Sequence, residues 1–208
     1  RERMPEFVEF QNQLLFTGEE TLYKNVLEEQ DERVDLDEQD KRKRHMLKRM
    51  APANDIIYCN VAEGLTVEKK EFMDKVFLIR DTLDIAKWKL TGEQKEVSGM
   101  NCMKAEFIPD AADSIQVEAW FSPEIPVASG PAGYGGLPGL IIFIDINNGE
   151  TQISLNTLVM REIGKDEIKE PKKGKEVTRS QFMEMRKKKM QQMRDQRREM
   201  GPPRPPRP

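Results

Sequence analysis

The sequence predicts an α+β protein, β-dominated, built on one curved antiparallel sheet of meander type with a C-terminal helix and a disordered or extended Pro-rich tail. Three observations point there. Short segments rich in β-branched and aromatic residues alternate apolar with polar positions, and Gly- or Asn-containing turns separate them. The most apolar run, Leu140 to Ile144, has the length of a buried strand and falls far short of the ~20 residues that a membrane-spanning helix needs. Thr178 to Met200 holds good helix formers and neither Gly nor Pro.

Composition limits the size of the core. The chain has 208 residues, 37% hydrophobic and 34% charged. That balance fits one core of about 120–140 residues with solvated segments attached. The net charge of -3 hides a split. From Arg161 onward there are 16 Lys/Arg against 8 Asp/Glu, so this part carries +8 and residues 1–160 carry -11. A basic end on an acidic body suits docking on an acidic surface, a membrane or nucleic acid, or simply a solvated helix and linker. The chain begins at Arg1, as expected of a processed or trimmed product. The expected units are a β domain over 1–162 with a charged excursion at 28–50, a charged linker at 163–177, a helix at 178–200 and a Pro/Arg-rich tail at 201–208.

In chain order, Glu6 to Phe16 reads as the first strand, and Thr17-Gly18-Glu19-Glu20 as a turn into a second strand at Thr21. Residues 28–50 run from an acidic into a basic block with few apolar positions, the pattern of an exposed excursion. Ile56 to Val61 and Glu71 to Asp81 are the next β-rich runs. Ile85 to Leu90 places Trp88 and Leu90 on one face and lysines on the other, and Thr91-Gly92-Glu93 reads as the turn after it. Lys95 to Phe107 alternates throughout, with Gly99 read as a bulge. Ser114 to Phe121 is a half-buried strand, and Leu140 to Ile146 the candidate central strand. Asn147-Asn148-Gly149 marks a hairpin into a return strand at Thr151 to Val159. In the helix, Thr178 or Ser180 is the expected N-cap, and Phe182, Met185, Lys189, Met193 and Met200 form a narrow stripe. The end, from Gly201 to Pro208, favours polyproline II.

Little in the chain carries chemistry. Gly133, Gly135, Gly136 and Gly139 precede a strand, whereas a phosphate loop opens a helix, so a conformational role is expected of them. His45, the only histidine, lies in the charged excursion, where no partner is fixed within hydrogen-bond reach. Asp145 and Glu150 flank a hairpin and are metal-ligand candidates only in the sense that any exposed carboxylate is. The methionines of the C-terminal helix raise copper(I) as a question but lack paired M-x-M runs at several sites. The basic run Lys41 to Arg44 has no interleaved aromatics to stack bases, so nucleic acid is not expected. No cofactor, catalytic residue or metal site is expected, and the chain is read as not an enzyme. Cys59 and Cys102 permit one disulfide and are equally compatible with two buried thiols.

One stretch is more specific. Trp120, Pro123 and Pro126 are followed by Gly130, Pro131 and Tyr134, and then by Gly136-Leu137-Pro138-Gly139-Leu140-Ile141. With Leu78-Ile79-Arg80-Asp81, Lys87-Trp88-Lys89 and Gly99 to Ala105, this pattern resembles the GLPGLI family of exported Bacteroidetes proteins. The likeness covers about residues 6–160. Members usually begin with one more strand than is legible here, and residues 28–50 are unusually long and charged. The family is largely of unknown function, and no catalytic residue can be carried over from it. The resemblance implies export to the periplasm or the periplasmic face of the outer membrane. It also implies an accessory role beside an outer-membrane protein, with a TonB-dependent transporter as the expected partner, reached through the loop Ser122–Gly136 and the basic tail. The alternative is a periplasmic carrier holding a lipid or hydrophobic peptide in the curve of the sheet.

Overall fold

Alternating sequence makes strands, but pairing decides which sheet each strand joins. A computed structural model describes residues 9–26, 55–73, 75–83, 88–108, 115–164 and 166–199. The excursion at 28–50, His45 and the tail at 201–208 lie outside these residues. The strands are β1 (Asn12–Phe16), β2 (Glu20–Asn25), β3 (Ile56–Asn60), β4 (Leu65–Phe72), β5 (Lys75–Thr82), β6 (Trp88–Val97), β7 (Met100–Phe107), β8 (Val117–Ser122), β9 (Leu140–Ile146), β10 (Thr151–Ser154) and β11 (Lys175–Thr178). Helix α1 spans Arg179–Glu199. The β-dominated class and the C-terminal helix agree with the sequence reading. The single sheet does not: the strands form two, ordered β1-β2-β3-β4-β5-β11 and β10-β9-β8-β7-β6. The meander breaks between β5 and β6 because β11 returns from the C-terminal end and takes the place beside β5. It pairs there in parallel, Val177 opposite Ile79, the one parallel pairing among the described strands.

Several local readings are corrected, each because a positive backbone angle serves more than one device. Thr91-Gly92-Glu93 is not a turn. β6 continues through it with a bulge between Leu90 and Gln94, Gly92 sitting at φ 82. Leu90 keeps register with Ala105 and shares the face of Trp88, but on this edge strand it is 51% exposed while Trp88 is half-buried. The true turn is at Ser98-Gly99, φ 49 and 77, a two-residue hairpin that leaves Val97 paired with Met100. The run Glu71 to Asp81 holds a turn at Met73, φ 53, where β4 folds back on β5 with Phe72 opposite Lys75. The hairpin at Asn147-Asn148-Gly149 forms as expected, with positive φ at all three residues.

Both sheets bury apolar faces. One face of the second sheet packs Ala105, Val117, Ala119, Phe121, Ile141 and Ile144. Its other face packs Cys102, Trp120, Leu140 and Ile142, and receives Leu14 and Phe16 from β1. The first sheet buries Leu22, Tyr58, Val67 and Leu78 on one side, and on the other Phe77, Ile79 and Val177 meet Phe182 of α1. The segment 163–177 is more than the charged linker expected of it. Ile168 is buried against Leu22, Tyr58, Val67 and Leu78, and residues 175–178 form β11. The return strand also stops early, at Ser154.

Cys59 and Cys102 are free thiols, both buried. They stand on β3 and β7, strands of different sheets, so the disulfide permitted by the cysteine count is not present. Burial raises the pKa of each thiol above its ordinary value. Native protein at pH 8 is therefore expected to show no fast-reacting thiol towards a disulfide reagent, and two after denaturation. Fewer than two in the denatured, unreduced protein contradicts the free state.

The phenols respond to alkali in the same sense. Burial pushes Tyr23 from 10.0 to about 12. Tyr58 also rises from 10.0 to about 12, through burial and then through the hydrogen bond it donates to Glu20. Both keep their protons longer in the fold than in the unfolded chain. The stability they contribute is fully present below pH 10 and is lost as pH rises through 10 towards 12. The urea midpoint is expected to fall across that window, and less steeply in Tyr58→Phe. A flat profile in the parent protein contradicts this.

Candidate functional site: the crossing between β8 and β9

The residues singled out by their pattern fall on one piece of structure, the crossing that carries the chain from Ser122 to Leu140. Proline and glycine shape it because it must turn tightly while its ends enter neighbouring strands. Backbone bonds tie it along its length. Ile125 O accepts from Leu140 N at 2.9 Å, Ser129 O from Ile141 N at 2.9 Å, and Ala128 O from Gly136 N at 3.1 Å. Ser129 and Gly135 form an antiparallel bridge. Pro131 to Gly133 make a single 3-10 turn closed by Tyr134 N on Pro131 O at 3.0 Å.

The two glycines of the hexapeptide serve different needs. Gly136 adopts φ 86, a left-handed conformation that side chains resist. Gly139 is held by close approach. A Cβ there would stand 2.7 Å from the Ser122 carbonyl carbon and 3.0 Å from Pro123 Cα, and closer still to Ser122 O. Gly130 has a similar constraint, since its Cβ would meet Ile141 side-chain atoms at 2.7 and 2.8 Å.

Side chains then sort into interior and rim. Trp120, Pro131, Leu137 and Leu140 are buried, together with Gly130 and Gly139, while Tyr134 is half-buried. Pro123, Pro126, Gly136 and Pro138 are exposed. Trp120 is not a surface anchor. Its ring is covered by Lys95 Nζ, 3.8 Å from the centroid, and its Nε1 donates to Glu118 Oε1 at 3.0 Å. Lys104 Nζ lies 2.9 Å from Glu118 Oε2, which raises the lysine pKa.

Sequence reasoning missed the tie at Trp88. Its Nε1 donates to Gly135 O at 2.9 Å, and its ring meets Phe107 at 5.7 Å and Tyr134 at 6.3 Å. The residues are far apart in sequence, and nothing local announces the bond. The 3-10 turn lies against the other sheet, where a Cβ at Gly133 would stand 3.3 Å from the Ile57 side chain of β3. The crossing thus lies against both sheets. Trp88→Phe keeps an aromatic ring, though a smaller one, and removes the donor to the Gly135 carbonyl. A loss of about 1–2 kcal/mol is expected in denaturant unfolding, and no loss means the bond is not needed.

The crossing offers little reactive chemistry. Ser129 Oγ is buried without a hydrogen-bond partner, so no base stands ready to activate it. Among the described residues no group of three His, Cys, Asp or Glu side chains is placed to hold a metal ion. Asp145 accepts from Gly149 N at 2.7 Å and Gln152 Nε2 at 2.8 Å, and Glu150 from Asn147 Nδ2 at 2.7 Å, so both carboxylates serve the hairpin.

Comparison with known proteins agrees on where the pattern lies. A family model described as a protein of unknown function (Porph_ging) matches residues 109–143, which hold β8, the crossing and the first half of β9. No curated protein matches the chain. Among solved structures, PNGF-II in the P21 space group is similar at 15% identity with a TM-score of 0.57, covering 88% of this chain and 30% of that one. PNGF-II in the C2 space group gives 16% identity and a TM-score of 0.50, covering 84% and 29%. At such identity the likeness is one of fold alone, and this chain spans less than a third of the PNGF-II chain. What the chain shares with known proteins is therefore a fold found within PNGF-II and, over residues 109–143, the pattern of a family of unknown function.

Proposed function

We propose that the chain is a non-enzymatic accessory subunit at the periplasmic face of the outer membrane, bound to an outer-membrane protein assembly, with a TonB-dependent transporter as the first partner to test. The observation that carries this reading is the sorting of the crossing. Its larger apolar side chains are buried, while Pro123, Pro126 and Pro138 stand exposed on a rim that hydrogen bonds hold in place. Exposed prolines on a fixed backbone lose little entropy when a partner covers them, so they suit contact better than catalysis. The resemblance of this segment to the GLPGLI family supports the proposed compartment and kind of partner. The carrier reading draws less support, because both faces of each sheet are filled with the protein's own apolar side chains.

The test is co-purification of tagged protein from detergent-solubilised outer membrane. A stoichiometric outer-membrane protein is expected, with capture reduced when Pro123, Pro126 and Pro138 are all replaced by Ser. Recovery as a lone soluble monomer sinks the reading.

A further inference from the structure

Helix α1 leaves the body as it proceeds. Phe182 is buried and Met185 half-buried against the first sheet, but Arg186 to Gln192 are exposed throughout. At 3.6 residues per turn, Met183, Lys187, Met190 and Arg194 form one row, with Arg186 beside it. This row lies about 140° round the helix from the side carrying Phe182 and Met185, so it faces away from the body. The acidic Glu184 and Asp195 share a different row, about 100° away. Met183 is 53% and Met190 48% exposed.

The cations of this row are unanswered. Among the described residues, Arg186, Lys187 and Arg194 have neither ion pair nor hydrogen bond, and Asp195 instead accepts from Gln191 at 3.2 and 3.4 Å. The charge continues in the sequence: residues 186–208 contain 9 Lys/Arg against 2 Asp/Glu.

We propose that this face of α1 binds the surface of an anionic lipid bilayer. A plane can touch only one side of a helix. Lys187 and Arg194 share this row with Arg186 beside it, and Glu184 and Asp195 are turned away from it, an arrangement that matches a planar anionic surface. A protein groove wraps more of the circumference and would meet Glu184 or Asp195 as well. Each cation near such a surface adds attraction that salt screens over about a Debye length. Two exposed methionines give slight apolar contact, so the helix lies on the membrane and does not insert. This inference needs only the helix and stands apart from the accessory-subunit reading.

The experiment is sedimentation of the full chain with vesicles of phosphatidylcholine containing about one-third phosphatidylglycerol. Binding is expected at low salt, and at least about tenfold weaker binding to pure phosphatidylcholine or in about 0.5 M salt. Lys187→Glu with Arg194→Glu should weaken binding at least about tenfold, whereas Lys188→Glu with Lys189→Glu, an equal charge change on other rows, should weaken it less than about threefold. Circular dichroism checks that the helix persists; if reversal unfolds it, Lys187→Gln with Arg194→Gln replaces that pair. Absent vesicle binding, or equal loss from both pairs, overturns the proposal. It is also overturned if Lys187→Glu with Arg194→Glu abolishes capture of the outer-membrane protein yet leaves vesicle binding intact, which assigns the face to an acidic protein instead.

Discussion

Gly139→Ala is expected to lower the free energy of unfolding by about 3 kcal/mol or more, which for a chain of this size is roughly 6–12 °C in Tm. One methyl group has so large an effect because of what it meets. The atoms around Gly139 are backbone, the Ser122 carbonyl and Pro123 Cα, and Ser122 is itself buried where β8 ends. No flexible side chain can move aside. Relief requires separating the start of the crossing from its end, which breaks the bond from Leu140 N to Ile125 O and shifts Leu137 and Leu140 from the core. Gly92→Ala is the control. Gly92 has φ +82 but open space around it, so only left-handed strain applies, about 1–2 kcal/mol. Equal losses at the two positions, measured by urea unfolding, contradict the close-approach account of the hexapeptide.

That contrast also explains how much of the molecule was legible in sequence. Strand content follows from alternation, and Leu140 to Ile146 and the Asn147–Gly149 hairpin were readable because their signals are local. The N-cap was readable too. Gln181 N donates to Thr178 Oγ1 at 3.2 Å, and Thr178 N donates to Gln181 Oε1 at 3.0 Å, a reciprocal cap within one turn. Gly92 and Gly99 were exchanged, bulge for turn, because both have positive φ and only cross-strand register tells them apart. The division into two sheets depends on β11 reaching β5 across about ninety residues of chain, and no window of sequence contains that pairing. The candidate site was found as a pattern, but its residues could not be sorted from sequence into interior and rim. Its residue types are those of a tight crossing, and the same types serve in a contact loop. Only burial separates Trp120, Leu137 and Leu140 inside from Pro123, Pro126 and Pro138 on the rim.

Phe182→Ala is expected to undock α1 while both sheets stay folded. The helix is held near its start alone. Phe182 packs edge-on to Phe72 at 5.9 Å and to Phe77 at 5.5 Å. Arg179 lies 3.3 Å from both Glu68 and Asp81. Its positive charge opposes the helix dipole at that end, so the two carboxylates are needed to hold it there. Removing a buried phenyl group costs about 3–5 kcal/mol, more than one packed turn and an ion pair can retain. A freed helix of this length is marginal in water. Hydrogen exchange should therefore quicken several hundredfold or more for amides from Met183 to Asp195, while β4 and β5 keep their slow exchange. The newly bared Phe77 and Ile79 should bind a hydrophobic dye. If unfolding instead remains one transition, weaker by the full amount and with uniform exchange, the helix is part of the cooperative core and this account of its docking fails.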